Sequence, residues 1–339
     1  MGMGSTVKAI WQLLQGTTNP DVVALYNYLY QKLEGAKMNA KHPMGRVFYV
    51  NGNSLPQCTP AGSDANDGLT PATPFLTIQH AIDLCTVLPW DKNDYIFCYN
   101  LYQQDTFPIN VTADGIHIIG WGGPVGQPAL MVPTGDTAIF NFPVGLGENC
   151  EIAGFSLGAG ANHGCIELQG NNANVWIHNN LFGHMWSGGG RDGVWLGITI
   201  QGGVIEDNWF YGTDCGPGLL TRCGIYVSSD WVFGTARNNY AFKMPGVGAD
   251  GSGGLIYGNN MDGVAIIHNK VNVGDGETAH GGAIFLLAGC DGCLIAQNEA
   301  NDGLAVSTKN PYVDEGGVND NAWISNQWGI TINYPETAA

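Results

Sequence analysis

The residues of this chain whose types and spacing could do chemistry are carboxylates lying close to tryptophans. Hydrolysis of a glycosidic bond takes two carboxyl groups about 5–9.5 Å apart, one of which holds a proton. Asp192, Glu206 and Asp214 are the candidate catalytic carboxylates, with Asp250, Asp275 and Glu277 further along. They surround "FGHMWSGGGRDGVWLG" (182–197), which carries Trp186, Arg191, Asp192 and Trp195 and is soon followed by Trp209. An indole ring covers the apolar face of a sugar while charged groups take its hydroxyls. Those five residues are therefore the candidate carbohydrate-binding set. The competing reading makes the tryptophans packing residues between coils or between subunits.

Other chemistry finds no support. There is no phosphate-binding Gly-Lys loop, no nucleophile elbow and no paired histidine at metal-ligand spacing. A net charge of −17, with Lys plus Arg at only 12, argues against a phosphate-binding surface and equally disfavours an anionic membrane. No partner nucleic acid and no membrane insertion are expected. No apolar run approaches the ~20 residues of a membrane span. The start of the chain lacks the pattern of a secretory signal, so synthesis in a reducing cytoplasm is expected. Cysteine is odd in number at nine, and "CDGC" at Cys290 and Cys293 has no second pair, so it reads as a turn. No cofactor is expected; the acidic "GDGE" at 274–277 is a weak calcium motif.

The elements that must position these side chains show in a repeat. Asn180, Asn208, Asn239, Asn269, Asn298 and Asn326 stand at intervals of 28, 31, 30, 29 and 28. Three residues before them stand Ile177, Ile205, Ala236, Ile266, Ile295 and Trp323, and two after them Phe182, Phe210, Ala241, Val271, Ala300 and Trp328. The residue just before each Asn is polar every time. A period near 29 with short β-like runs and abundant glycine (51) predicts an all-β parallel solenoid. In it each Asn marks a corner, takes the left-handed conformation and stacks on the Asn of the next coil, while its apolar flanks enter the core. "CEIAGFSL" gives an earlier copy, with Phe155 at the corner. Glu206 then shares its position with His178 and Arg237 on the neighbouring coils, and a Glu206–Arg237 ion pair is expected.

The stretch "VFYVNGNSLPQCTPAGSDANDGLTPATPFLTIQHAID" (47–83) resembles the opening of right-handed parallel β-helix proteins of the pectate-lyase-like superfold. The resemblance implies a right-handed β-helix over roughly 47–334, with a short helix bearing Ile78, Ala81, Ile82 and Cys85 capping the core. It does not carry over a catalytic set: the calcium-binding Asp cluster with an Arg or Lys base, and the "NTD", "DD", "GHG" and "RIK" motifs of polygalacturonase-like sites, are not matched. "TTNPDVVALYNYLYQKLEGAK", with Asn19 as N-cap and Val22, Leu25, Tyr26, Leu29 and Leu33 on one face, predicts a helix ahead of the solenoid. It either attaches to a particle or folds back as a cap.

This gives residues 1–45 as an N-terminal helical attachment or oligomerisation segment, 46–110 as β-helix entry and capping helix, 111–334 as coils and 335–339 as a tail. The resemblance implies a virion-associated spike or fibre of the phage tailspike type, a homotrimer held to other virion proteins through residues 1–45. Adhesion to a host-surface polysaccharide is the expected role. A polysaccharide depolymerase using loop carboxylates is the rival.

Overall fold

The computed structural model describes residues 44–52, 60–85, 93–99, 106–120, 129–131, 133, 135–183, 190–212, 220–244, 254–273, 283–302, 311–315, 320–328, 331–332 and 336–337. The predicted N-terminal helix lies outside them. Among the described residues short strands stack into three sheets, and every strand pairing but one is parallel. Ten of the described strands form the first face, from Met44–Asn51 to Ala322–Ile324. Each coil runs along this face, turns at an Asn corner into the second face, crosses to the third, and returns through a second corner. The architecture is a parallel β-solenoid.

Strands of about three residues suit such a coil because only the central side chain has to point inward. On the first face that column reads Ile96, Ile118, Ile152, Ile177, Ile205, Ala236, Ile266, Ile295 and Trp323, each in register with the next. All but Trp323 are buried. Each buried isoleucine contributes about 1.5–3 kcal/mol of apolar transfer. Past the corner, Phe182 and Phe210 lie flat on one another, with centroids 4.7 Å apart.

The six asparagines do form one buried column, but they are not the left-handed residues. Positive φ belongs to the polar residue before each: Asn179, Asp207, Asn238, His268, Gln297 and Ser325, at 52–57°. Each of these residues turns the chain. The Asn that follows spends its amide on hydrogen bonds between coils. In the earlier copy Gly154 makes the turn, and Phe155 donates its N–H to Asn180 Oδ1 at 3.0 Å.

The second corner has its own left-handed column: Gly115, Asn149, Asn174, Gly202, Phe233, Gly263 and Gly292. From Gly115 to Gly263 their N–H groups donate to the neighbouring coil, as from Asn174 to Gln201 at 2.9 Å and from Phe233 to Asp262 at 2.8 Å. Phe233 is the exception in type, and it is 48% exposed.

The helix Ile78–Leu84 buries Ile78, Ala81 and Ile82 against the first coils. Thr77 caps it, accepting from the His80 N–H at 3.2 Å. Asp64 fixes the approach by accepting from the Leu76 and Thr77 N–H groups and from the Thr77 hydroxyl. Gly68, at φ +65°, sits where a Cβ would strike the Phe75 ring at 2.1 Å. The "GSDANDG" run is thus a structural loop.

Met44–Asn51 and Asn93–Tyr99 belong to the first face, and Glu336–Thr337 pair with Val313–Asp314. Cys290 and Cys293 flank a turn at Asp291 and Gly292, and both thiols are buried in the core. The described cysteines are all free thiols.

Candidate functional site

The predicted site residues fall on three different faces. Arg191, Asp192 and Trp195 are on the third, Glu206 on the first and Trp209 on the second. Trp186 and Asp214 lie outside the described residues, as do Asp250, Asp275, Glu277 and the "GDGE" run. Among the described residues no group of three or more His, Cys, Asp or Glu is disposed to hold a metal, and no helix is long and apolar enough to cross a membrane.

Asp192 is completely buried. Its Oδ1 accepts from Arg222 Nε at 2.8 Å, and its Oδ2 accepts from Arg222 and, at 3.2 Å, from Arg191. Arg222 in turn stacks on the Tyr226 ring, 3.5 Å from its centroid. This carboxylate is closed in and cannot meet a sugar directly. Trp195 is half-buried on the outer side of the same face, in register with Glu167 and Tyr226.

The accessible aromatic groups flank the Asn corner. Trp209 is 49% exposed and leans on Tyr240 of the next coil, with centroids 4.6 Å apart. Across the corner, on the first face, Trp176 is 36% exposed and stacks on His178 at 4.0 Å. Glu206 ties the two coils together. Its Oε1 accepts the Trp176 indole N–H at 2.9 Å, and its Oε2 accepts from Arg237. The registers His178–Glu206–Arg237 hold, and Glu206 pairs with Arg237.

His178, however, turns towards the preceding coil. Its Nε2 meets Glu151 Oε1 at 2.6 Å, while His117 Nδ1 meets the other oxygen. Tyr95 stacks on His117 at 4.3 Å. Burial alone would raise the Glu151 carboxyl, but the two imidazoles outweigh it and hold Glu151 down at about 2. Trp176, Glu151 and His117 were not singled out from the sequence. The available signal was register: they occupy one outward column of the first face, as Tyr95–His117–Glu151–Trp176.

The corner can therefore stack sugar rings on two indoles and hydrogen-bond them through fixed polar groups. Among its carboxylates Glu151 is held ionised, and both Glu206 oxygens accept hydrogen bonds.

Comparison with protein-family models finds no match, and comparison with curated proteins finds none either. Among solved structures the chain is similar to the native crystal structure of GH136 lacto-N-biosidase from Eubacterium ramulus. Identity is 13%, over 90% of this chain and 71% of that one, with a TM-score of 0.30. A likeness at that level carries nothing about activity or substrate.

Proposed function

We propose that this protein is a glycan-binding β-solenoid that adheres without hydrolysing, used as a virion-associated spike or fibre. The observation that carries the binding part is the pair of exposed indoles, Trp176 and Trp209, on the two faces that meet at the Asn column and on adjacent coils. Trp176 stacks on His178, Trp209 leans on Tyr240 with its ring tilted, and Glu206 is held beside Trp176 by the indole N–H and by Arg237. Rigid platforms of this kind bind with little ordering cost. The virion, trimer and N-terminal attachment parts rest on the sequence resemblance and on the helical pattern before residue 45.

The test is binding to a panel of immobilised bacterial surface polysaccharides. Trp209→Ala and Trp176→Ala should each weaken binding at least tenfold with an unchanged circular dichroism spectrum. Reducing-sugar release that vanishes in Glu206→Gln or Asp214→Asn would replace adhesion with the depolymerase reading. Sedimentation as a monomer after purification of the full chain would remove the trimer.

A further inference from the structure

On the second face the residues either side of the buried Phe210, Ala241, Val271 and Ala300 point outwards, because side chains alternate along a strand. They make two parallel columns. The first reads Trp209, Tyr240, Lys270 and Glu299, and the second Tyr211, Phe242, Asn272 and Asn301. Both columns change character halfway. Over two coils they carry aromatic rings, with Trp209 leaning on Tyr240 at 4.6 Å and Tyr211 meeting Phe242 edge-on at 6.3 Å. Over the next two they carry an ammonium, a carboxylate and two amides. Lys270 Nζ lies 3.3 Å from Glu299 Oε2, and the Asn301 amide donates to Glu299 Oε1 at 2.9 Å.

We infer that this face takes a neutral, extended oligosaccharide laid along the coil axis, with its rings over the aromatic half and its hydroxyls against the polar half. The inference rests on the glycan-binding reading and gives it a ligand class and a direction. Coils rise by about 4.8 Å each, so the three steps from Trp209 to Glu299 span about 14 Å, more than one sugar ring covers.

The composition of the two halves fits a sugar chain and not an apolar protein partner, whose side chains would meet an exposed ammonium–carboxylate pair over half of the track. Aromatic rings take the apolar faces of sugars. A hydroxyl both donates and accepts, so neighbouring hydroxyls of one ring satisfy Glu299 and Lys270 together. Charge favours a neutral chain over an acidic one. Glu299 already answers the charge of Lys270, and its carboxyl is held below the ordinary range by the Asn301 amide and by Lys270. That ionised group, on a chain of net charge −17, repels a polyuronate. Trp176 stands on the first face, outside this track.

The experiment is an array of neutral and uronate-bearing oligosaccharides, from mono- to hexasaccharide, probed with the full chain and followed by calorimetric titration of the bound members. Neutral members should bind, about tenfold more tightly as tetrasaccharide than as disaccharide. Their affinity should change less than about twofold between ~0.05 and ~0.5 M salt. Trp209→Ala and Tyr240→Ala should each weaken all of them about tenfold. Lys270→Ala and Glu299→Ala should weaken the tetrasaccharide about fivefold and leave the disaccharide, held by the aromatic half, unmoved. Where Tyr240→Ala lowers the melting temperature, Tyr240→Leu replaces it, keeping apolar bulk without the flat ring. Binding of uronate members alone, or binding that salt abolishes, overturns the neutral class. Neutral binding that is lost in Trp176→Ala but untouched in Tyr240→Ala and Lys270→Ala overturns the track and leaves the glycan reading standing. An array with no bound member removes the glycan reading and this inference with it.

Discussion

Asn208 Oδ1 accepts both the backbone N–H and the side-chain amide of Asn180, at 2.9 and 3.2 Å. The Asn208 amide nitrogen donates on to Asn239 and back to the Ile177 carbonyl. Every donor and acceptor of the amide is thus used between coils, in a site that water does not reach. The turn itself is made one residue earlier. Asn239→Ala should therefore cost about 3 kcal/mol, the penalty of stranding buried donors. Asn238→Gly should cost nothing, because glycine enters the left-handed region freely. Urea unfolding of the two variants checks this, and equal losses would mean that turn and ladder are not separate roles.

The Glu206 carboxylate is shared between Arg237 and Trp176 on opposite sides. Arg237→Ala should destabilise by about 2 kcal/mol, as expected for hydrogen bonds to a charged group. A double-mutant cycle of Arg237→Ala with Trp176→Phe should show coupling of about 1 kcal/mol, since both act through one group. Additive effects would argue that Glu206 does not link the coils.

Asp192 belongs to stability and not to ligand contact. Asp192→Ala leaves Arg222 partly buried without its counter-charge and should cost about 3 kcal/mol. Polysaccharide binding measured well below the melting temperature should be unchanged. A selective loss of binding with normal melting would return Asp192 to the site.

Glu151 sets a pH dependence with a definite sign. Its folded value, about 2, lies below the ordinary 4.5, so its stabilisation is complete above 4.5 and disappears as pH falls from there through 2. Glu151→Gln should therefore lower the melting temperature near neutrality and flatten its decline between those two values. Parallel melting curves for the two proteins would exclude a role for Glu151 in acid sensitivity.

Phe233 occupies a column otherwise filled by glycine and asparagine, in a conformation that a bulky side chain resists. Phe233→Gly should stabilise the fold by about 1 kcal/mol, read as a rise in thermal midpoint. A loss of stability would show that the ring makes contacts worth more than its backbone strain.

The period, the Asn column, its apolar flanks and the capping helix were legible because a solenoid is close to one-dimensional. Corner-to-corner lengths of 28–31 residues put equal positions on adjacent coils in contact, which is why the Glu206–Arg237 pair could be read from numbering alone. Which of two adjacent corner residues turns and which bonds could not be read, since asparagine suits both tasks. Sequence proximity also misled around Arg191, Asp192, Trp195 and Trp209. A coil folds three times within one period, so residues some fourteen apart point to different sides, and only the tertiary structure decided that Asp192 is interior while Trp209 is outside. The Glu151–His178 contact and the Trp176–Glu206 bond were decided there too. They run across coils between positions of unlike chemistry, where no repeated residue type marks the partner.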